Sequence, residues 1–229
     1  FLQSLEVLQK DLTVENWENF TYQYARYSAG LNVTALIGRV GADELKKKLN
    51  SLGVPDEKVP EVSGVITYPN EHTPLFLSQK DLYVLADKFQ SGELSEENLN
   101  NELEKWLLQN RHIPVNFASE PWVMDDVKKQ LADILNKNAK EEIYRLSNEH
   151  SSRVKNARET VDKFNDDELK ILAETIARAT YLNEYRKNIF STVSLGFRGA
   201  FQKIAEMGNS NNWRDCFFLT YEEMTDILK

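Results

Sequence analysis

From Leu169 to Ile204 one set of apolar side chains keeps helical step: Leu169, Leu172, Ile176, Tyr185, Ile189, Val193, Phe197, Phe201 and Ile204. Such spacing lines one face of an α-helix, and it continues to Gly208. A helix of about 40 residues, at about 1.5 Å per residue, is roughly 60 Å long. Asn165 is placed to cap it, with Glu168 three residues on as a capping box requires. Gly196 and Gly199 inside it predict a kink or a close helix crossing. A stripe of this length has to be covered by other helices. The fold class expected is therefore all-α, an irregular antiparallel helical bundle with a long C-terminal helical hairpin arm.

The rest of the chain fits that frame. Only 9 Gly and 6 Pro punctuate 229 residues, while 11 Phe, 9 Tyr and 4 Trp supply a sizeable core. Thr13 is a plausible cap for a helix whose Trp17, Phe20, Tyr24 and Tyr27 share one stripe. A second helical stretch carries Leu45, Leu49 and Leu52 and stops at Gly53. Pro55, Pro60, Pro69 and Pro74 then interrupt the rhythm, so 54–77 reads as a Pro-rich loop and an internal break in a single helical domain, 1–229. Ser78 is the expected cap of a helix carrying Leu82, Leu85 and Phe89 that ends near Ser91-Gly92. Leu94-Ser95 opens the next, with Leu99, Leu103, Trp106 and Leu107 on its buried face. A loop at 110–121 follows. Val127, Leu131 and Ile134 resume the helical period, with a charged continuation through Ile143, Leu146 and Val154 towards Val161. Thr220-Tyr221-Glu222-Glu223 forms a second capping box, with Leu219 and Met224 as a hydrophobic staple, and starts a final short helix.

Charge and cysteine content narrow the function classes. The formal net charge is -8, which disfavours nucleic acid and anionic membrane surfaces as partners. The densest basic run, Lys46-Lys47-Lys48, follows Asp43 and Glu44 and reads as a solvated helix face. No apolar stretch reaches the roughly 20 residues of a membrane span. The lone cysteine, Cys216 in Cys216-Phe217-Phe218-Leu219, is expected to be a small buried hydrophobe in a reducing compartment, hence a cytoplasmic protein. The chain starts at Phe1 inside a helical pattern, as expected of a fragment of a larger multidomain protein or of trimmed termini.

Catalytic signatures are lacking. His72, His112 and His150 have no second His or Cys at ligand spacing, so no metal site is expected. There is no phosphate-cradling Gly-x-x-x-x-Gly-Lys loop, no Gly-x-Gly-x-x-Gly and no Gly-x-Ser-x-Gly. The pairs Asp125-Asp126, Asp166-Asp167 and Glu222-Glu223 read as favourable charge in the first turns of helices. Arg186 and Lys187 interrupt the face of Tyr181, Tyr185, Ile189 and Phe190, where an Arg can grip an anion bidentately or simply pair along the helix. Trp106 and Trp122 flank the 110–121 loop, as pocket walls or as core. No catalytic residue is assigned.

Two segments carry a resemblance: Glu184-Tyr185-Arg186-Lys187-Asn188 in the long helix, and Arg214-Asp215-Cys216-Phe217-Phe218-Leu219-Thr220-Tyr221-Glu222-Glu223 after it. Together they resemble the helical central region of phosphoenolpyruvate-utilising enzymes, of the phosphoenolpyruvate synthase, pyruvate phosphate dikinase and rifampicin phosphotransferase type. In that family a long helix with an Arg-Lys pair leads into a D-x-F-F-L-T-x-x-E segment ahead of the phosphohistidine domain. Ile66-Thr67-Tyr68-Pro69 before Asp81-Leu82, and His112 ahead of Trp122 and Asp125-Asp126, are similar to further family segments. The family's catalytic pieces, an ATP-grasp sequence and a Gly- and Ser-flanked histidine, are not in this chain, and His112 lacks such surroundings. The resemblance implies a linker or acceptor-substrate-binding domain in a phosphotransferase with a swivelling phosphohistidine. Its partners would be the adjacent ATP-grasp and phosphohistidine domains and a small-molecule acceptor, with ATP and Mg in those partner domains and no cofactor here. The acceptor pocket would be lined by Trp106, Trp122, Tyr185 and Arg186, with Arg186 meeting a phosphate or carboxylate. The rival expectation is a helical scaffold without enzymatic activity, whose long arm, 165–208, docks a partner helix.

Overall fold

A computed structural model describes residues 1–116 and 119–229, and among them every regular element is a helix. The α-helices are α1 (Leu2–Lys10), α2 (Val14–Ser51), α3 (Val59–Ile66), α4 (Pro74–Gln90), α5 (Glu96–Asn110), α6 (Met124–Leu135), α7 (Ala139–Asp162), α8 (Asp167–Met207) and α9 (Tyr221–Ile227). A 3-10 helix, Trp213–Phe218, precedes α9. The all-α fold class is the one the periodicity demands. No helix among the described residues is long and apolar enough to cross a membrane.

Contacts divide the chain into two compact units. Unit 1 is Phe1–Leu31, Arg111–Pro121 and Lys187–Lys229; unit 2 is Asn32–Asn110 and Trp122–Arg186. None of these boundaries falls in the Pro-rich stretch 54–77.

Unit 1 is built around aromatic rings. Trp17 and Phe20 from α2 are fully buried with Leu5 and Leu8 of α1 and with Ile189, Val193 and Ile204 of α8. The Phe20 ring meets Phe197 edge to face at 4.6 Å, and Phe1 stacks on Tyr27 at 4.7 Å. Offset and edge-on arrangements are the ones aromatic quadrupoles favour. Gly196 is where α1 crosses α8: a Cβ there would lie 2.7 Å from Leu5 Cδ2. Gln9 Nε2 donates to the Gly196 carbonyl at 3.2 Å. The predicted close crossing is therefore at Gly196, whereas Gly199 faces open space. Cys216 is buried, donates to the Phe201 carbonyl at 3.3 Å, and has its pKa raised by burial and then by Asp215.

Unit 2 has two cores, both mainly aliphatic. Leu45, Leu49, Val59, Ile66, Val161, Leu169 and Ile176 make one. Leu82, Ala86, Leu99, Leu103, Trp106, Val127, Leu131 and Ile134 make the other. Residues 32–51 of α2 lie antiparallel to 167–186 of α8. The Thr34 hydroxyl bonds Asn183 Oδ1 at 3.2 Å, a Cβ on Gly41 would meet Ile176 at 2.9 Å, and Lys48 pairs with Asp166 at 2.9 Å and Glu168 at 2.6 Å.

Several local expectations need correction. The two helical stretches expected between Thr13 and Gly53 are one helix, α2, because residues around Gly30, Gly38 and Gly41 stay helical. The Pro-rich stretch is not all loop: Pro60 sits in the first turn of α3, where its missing N–H is not needed. Ser78 is not a cap. Thr73 caps α4, accepting from Phe76 N at 3.2 Å with Pro74 behind it, and Ser78 is buried inside the helix. Asn165 takes a left-handed φ of 49°, and the cap of α8 is Asp166, which accepts from Leu169 N at 2.7 Å. The stretch 127–161 is two helices, with Asn138 capping the second. Thr13 does accept from Asn16 N, and the Thr220–Glu223 capping box is complete.

Candidate functional site

The four residues singled out in the sequence fall in unit 2 as two separate pairs. Trp106 and Trp122 stack at 5.6 Å, and the buried Trp106 donates its indole N–H to the Ser78 carbonyl at 3.0 Å. That bond and the surrounding leucines make Trp106 a core residue of α4, α5 and α6. Tyr185 is exposed and packs on Tyr181 at 6.1 Å, and Arg186 beside it is half-buried. Among the described residues no hydrogen bond, ion pair or ring contact joins the tryptophans to Tyr185 or Arg186.

Two other clusters carry more chemistry. The first, in unit 2, brings together histidines that are far apart in sequence. The turn after α3 and the start of α4 pack on α7, so the His72 and His150 rings lie 4.0 Å apart. His72 is sandwiched, with Phe76 stacked on it at 4.3 Å and nearly parallel, 7° apart. His150 Nε2 lies 3.1 Å from the carbonyl of Asn70, and its Nδ1 lies 3.3 Å from the Tyr68 hydroxyl. A carbonyl only accepts, so in the neutral ring Nε2 carries the proton and Nδ1 receives the phenol hydrogen. The guanidinium of Arg153 lies over the Tyr68 ring at 5.7 Å. His72 Nδ1 is buried without a hydrogen-bond partner. Burial, then His150 and Lys80, hold the His72 pKa below its ordinary value.

The pair forms a wall between two clefts. One of about 440 Å³ also involves Ser151, Lys155, Arg158 and Glu159; the other, of about 190 Å³, involves Tyr68, Glu71 and Phe76. A more enclosed hollow of about 240 Å³ adjoins them at Tyr68, Asn70 and Arg158. The two imidazoles, tilted 41° to each other, do not form a chelating pair, since both nitrogens of His150 are already engaged. Among the described residues no group of three or more His, Cys, Asp or Glu could hold a metal ion. What the cluster offers a ligand is an aromatic surface with basic side chains at one rim.

The second cluster is in unit 1 and is built from two guanidiniums, a carboxylate and an indole. Glu120 accepts from Arg198 Nη1 at 2.9 Å and from Arg214 Nη2 at 2.6 Å. Both guanidiniums also lie on the indole of Trp213, at 5.0 and 4.7 Å from its centroid. Arg198 Nη2 donates to the Ser119 carbonyl. In the same unit, His112 Nε2 meets Asn188 Oδ1 at 2.8 Å and ties the segment after α5 to α8.

Sequence reasoning missed both clusters. For the histidines no local signal existed, because 78 residues separate them. For the second cluster one signal was present: Arg214 lies in the segment that carries the family resemblance. Compared with protein-family models, curated proteins and solved structures, the chain matches none of them.

Proposed function

We propose that this chain is a helical linker or acceptor-substrate-binding domain of a phosphoenolpyruvate-synthase-like phosphotransferase. It would stand between an ATP-grasp domain and a swivelling phosphohistidine domain, with ATP and Mg held by those partners. The observation that carries this reading is the Arg214–Glu223 segment following Glu184–Asn188. Its geometry supports a junction: the 3-10 helix ends in Phe218, 88% exposed, and then passes directly into the capped helix α9. A phenyl ring held out in water beside a short, firmly capped helix suits a surface that a neighbouring domain covers.

The reading frame on either side of the chain is the direct test. A Gly-rich ATP-grasp region upstream, or a Ser-His phosphohistidine segment downstream, is the expected result. A start codon just before Phe1 and a stop codon just after Lys229 would overturn the proposal. Within the intact parent enzyme, Arg186→Ala is expected to weaken acceptor binding with unchanged helical circular dichroism. Unaltered acceptor affinity would remove Arg186 from the pocket.

One observation favours the scaffold reading instead. Val33, Leu36, Ile37 and Val40 form an exposed apolar stripe at i, i+3, i+4 and i+7 on α2. The sequence places the docking stripe on the arm 165–208, whereas this one lies on the other long helix. If the scaffold reading holds, sedimentation velocity shows association that rises with concentration and is lost in Leu36→Asp. A monomer at all concentrations favours the linker-domain reading.

A further inference from the structure

We propose that Arg198, Arg214 and Trp213 form a binding site for a phosphate group, and that the Glu120 carboxylate occupies it in this structure. The proposal stands on these residues alone and does not depend on the phosphotransferase reading.

The side chain of Arg198 is only 14% exposed, and its Nε is buried without a hydrogen-bond partner. A guanidinium stays charged at any physiological pH, so a charge this far removed from water requires an anion beside it. The anion supplied is a single carboxylate whose two oxygens go to different arginines, Oε2 to Arg198 and Oε1 to Arg214. An oxyanion bridging two guanidiniums is the arrangement in which arginines bind phosphate. The indole of Trp213 holds both guanidiniums near the anion by cation–π contact, and this rigid support is independent of Glu120.

Glu120 reaches the arginines from the solvent side: its side chain is 69% exposed, so it can leave them without a carboxylate being stranded out of water. Rotation of that one side chain into solvent takes the carboxylate away from both guanidiniums. A carboxylate brings one negative charge to two guanidiniums, whereas a phosphate monoester brings about -1.5 to -2 and three acceptor oxygens. The site therefore favours phosphate over carboxylate ligands. Asp215, the nearest acid in sequence to Arg214, is turned to its own turn, where Ser210 Oγ and Asn212 Nδ2 bond it at 2.5 and 3.0 Å.

The test is titration of the full chain with inorganic phosphate, followed by calorimetry and by ³¹P line broadening, at constant ionic strength set with chloride. Removing the internal competitor in Glu120→Ala is expected to tighten phosphate binding at least about tenfold over the unsubstituted chain, with acetate gaining less. Adding Arg198→Met to that variant is expected to abolish the gain. A folded Glu120→Ala chain that binds phosphate no more tightly, or a gain that survives Arg198→Met, would overturn the site and leave Glu120 as a plain tether. Should Glu120→Ala lose its helical circular dichroism, Glu120→Gln serves in its place. It keeps an acceptor for one guanidinium while removing the competing charge, and the same gain is required of it.

Discussion

The two units use the same helices for different kinds of cohesion. Unit 1 packs aromatic rings, and its polar cluster joins two arginines to one carboxylate. Unit 2 packs mainly aliphatic side chains around Trp106, and its polar cluster groups aromatic rings around two histidines. Charges fixed at every ordinary pH respond to salt and to competing anions. Imidazoles respond to protons. One helical architecture thus carries two surfaces that answer to different solution variables.

The comparison can be broken most sharply at the cores. Phe20 is fully buried against Phe197 and Trp17, and Phe20→Ala is expected to cost about 3–5 kcal/mol, read by urea unfolding. Loss of amide protection should centre on residues 14–31 and 187–207. A cost below about 1 kcal/mol would mean the aromatic cluster is not the core of unit 1. Glycines give the next largest contrast. Gly196→Ala drives a methyl group into Leu5, and Gly41→Ala drives one into Ile176. Each is expected to lose about 1–3 kcal/mol. Gly199→Ala meets nothing within 4 Å and should gain up to about 1 kcal/mol from helix propensity. Equal effects at all three positions would refute the close crossings.

Caps come third. Thr73→Ala in unit 2 and Thr220→Ala in unit 1 each remove a side-chain acceptor from a helix start, at about 1 kcal/mol by thermal unfolding. The smallest expected effect is the response to pH. His72 has a folded pKa below its ordinary 6.5, so the unfolded chain binds its proton more readily than the folded one. The stability it contributes is therefore fully present above 6.5 and is lost as pH falls through the lower folded value. Unsubstituted protein should lose melting temperature on acidification faster than His72→Gln. Parallel curves would remove the histidine stack as the source.

Much of the fold was legible because helical period is a local property. The stripe at 169–204, the caps at Thr13 and Thr220 and the turn glycines Gly53 and Gly92, both at positive φ, follow from short-range rules. The misplaced cap at Ser78 shows where such rules tie: two hydroxyl residues preceded one apolar stripe, and Pro74, suited to a first helical turn, decided for Thr73. The continuity of α2 was hidden because glycine weakens helix propensity, while the close approach at Gly41 makes it the residue that fits. The histidine stack and the Glu120 clamp were beyond sequence reading for a different reason. Each joins residues about 80 or more apart, and nothing local marks which distant side chain will arrive.

The pairing of α2 with α8 has a consequence for the time at which the protein becomes whole. Thr34 and Asn183 bond each other across a sequence separation of 149 residues. At a synthesis rate of about 5–20 residues per second, the first half of that contact waits roughly 7–30 seconds for the second. Helical proteins usually fold quickly because their contacts are local. Here Leu45 and Leu49 of a nascent α2 lack their α8 neighbours throughout that interval, so a ribosome-bound chain halted before α8 should recruit chaperones that the finished protein does not.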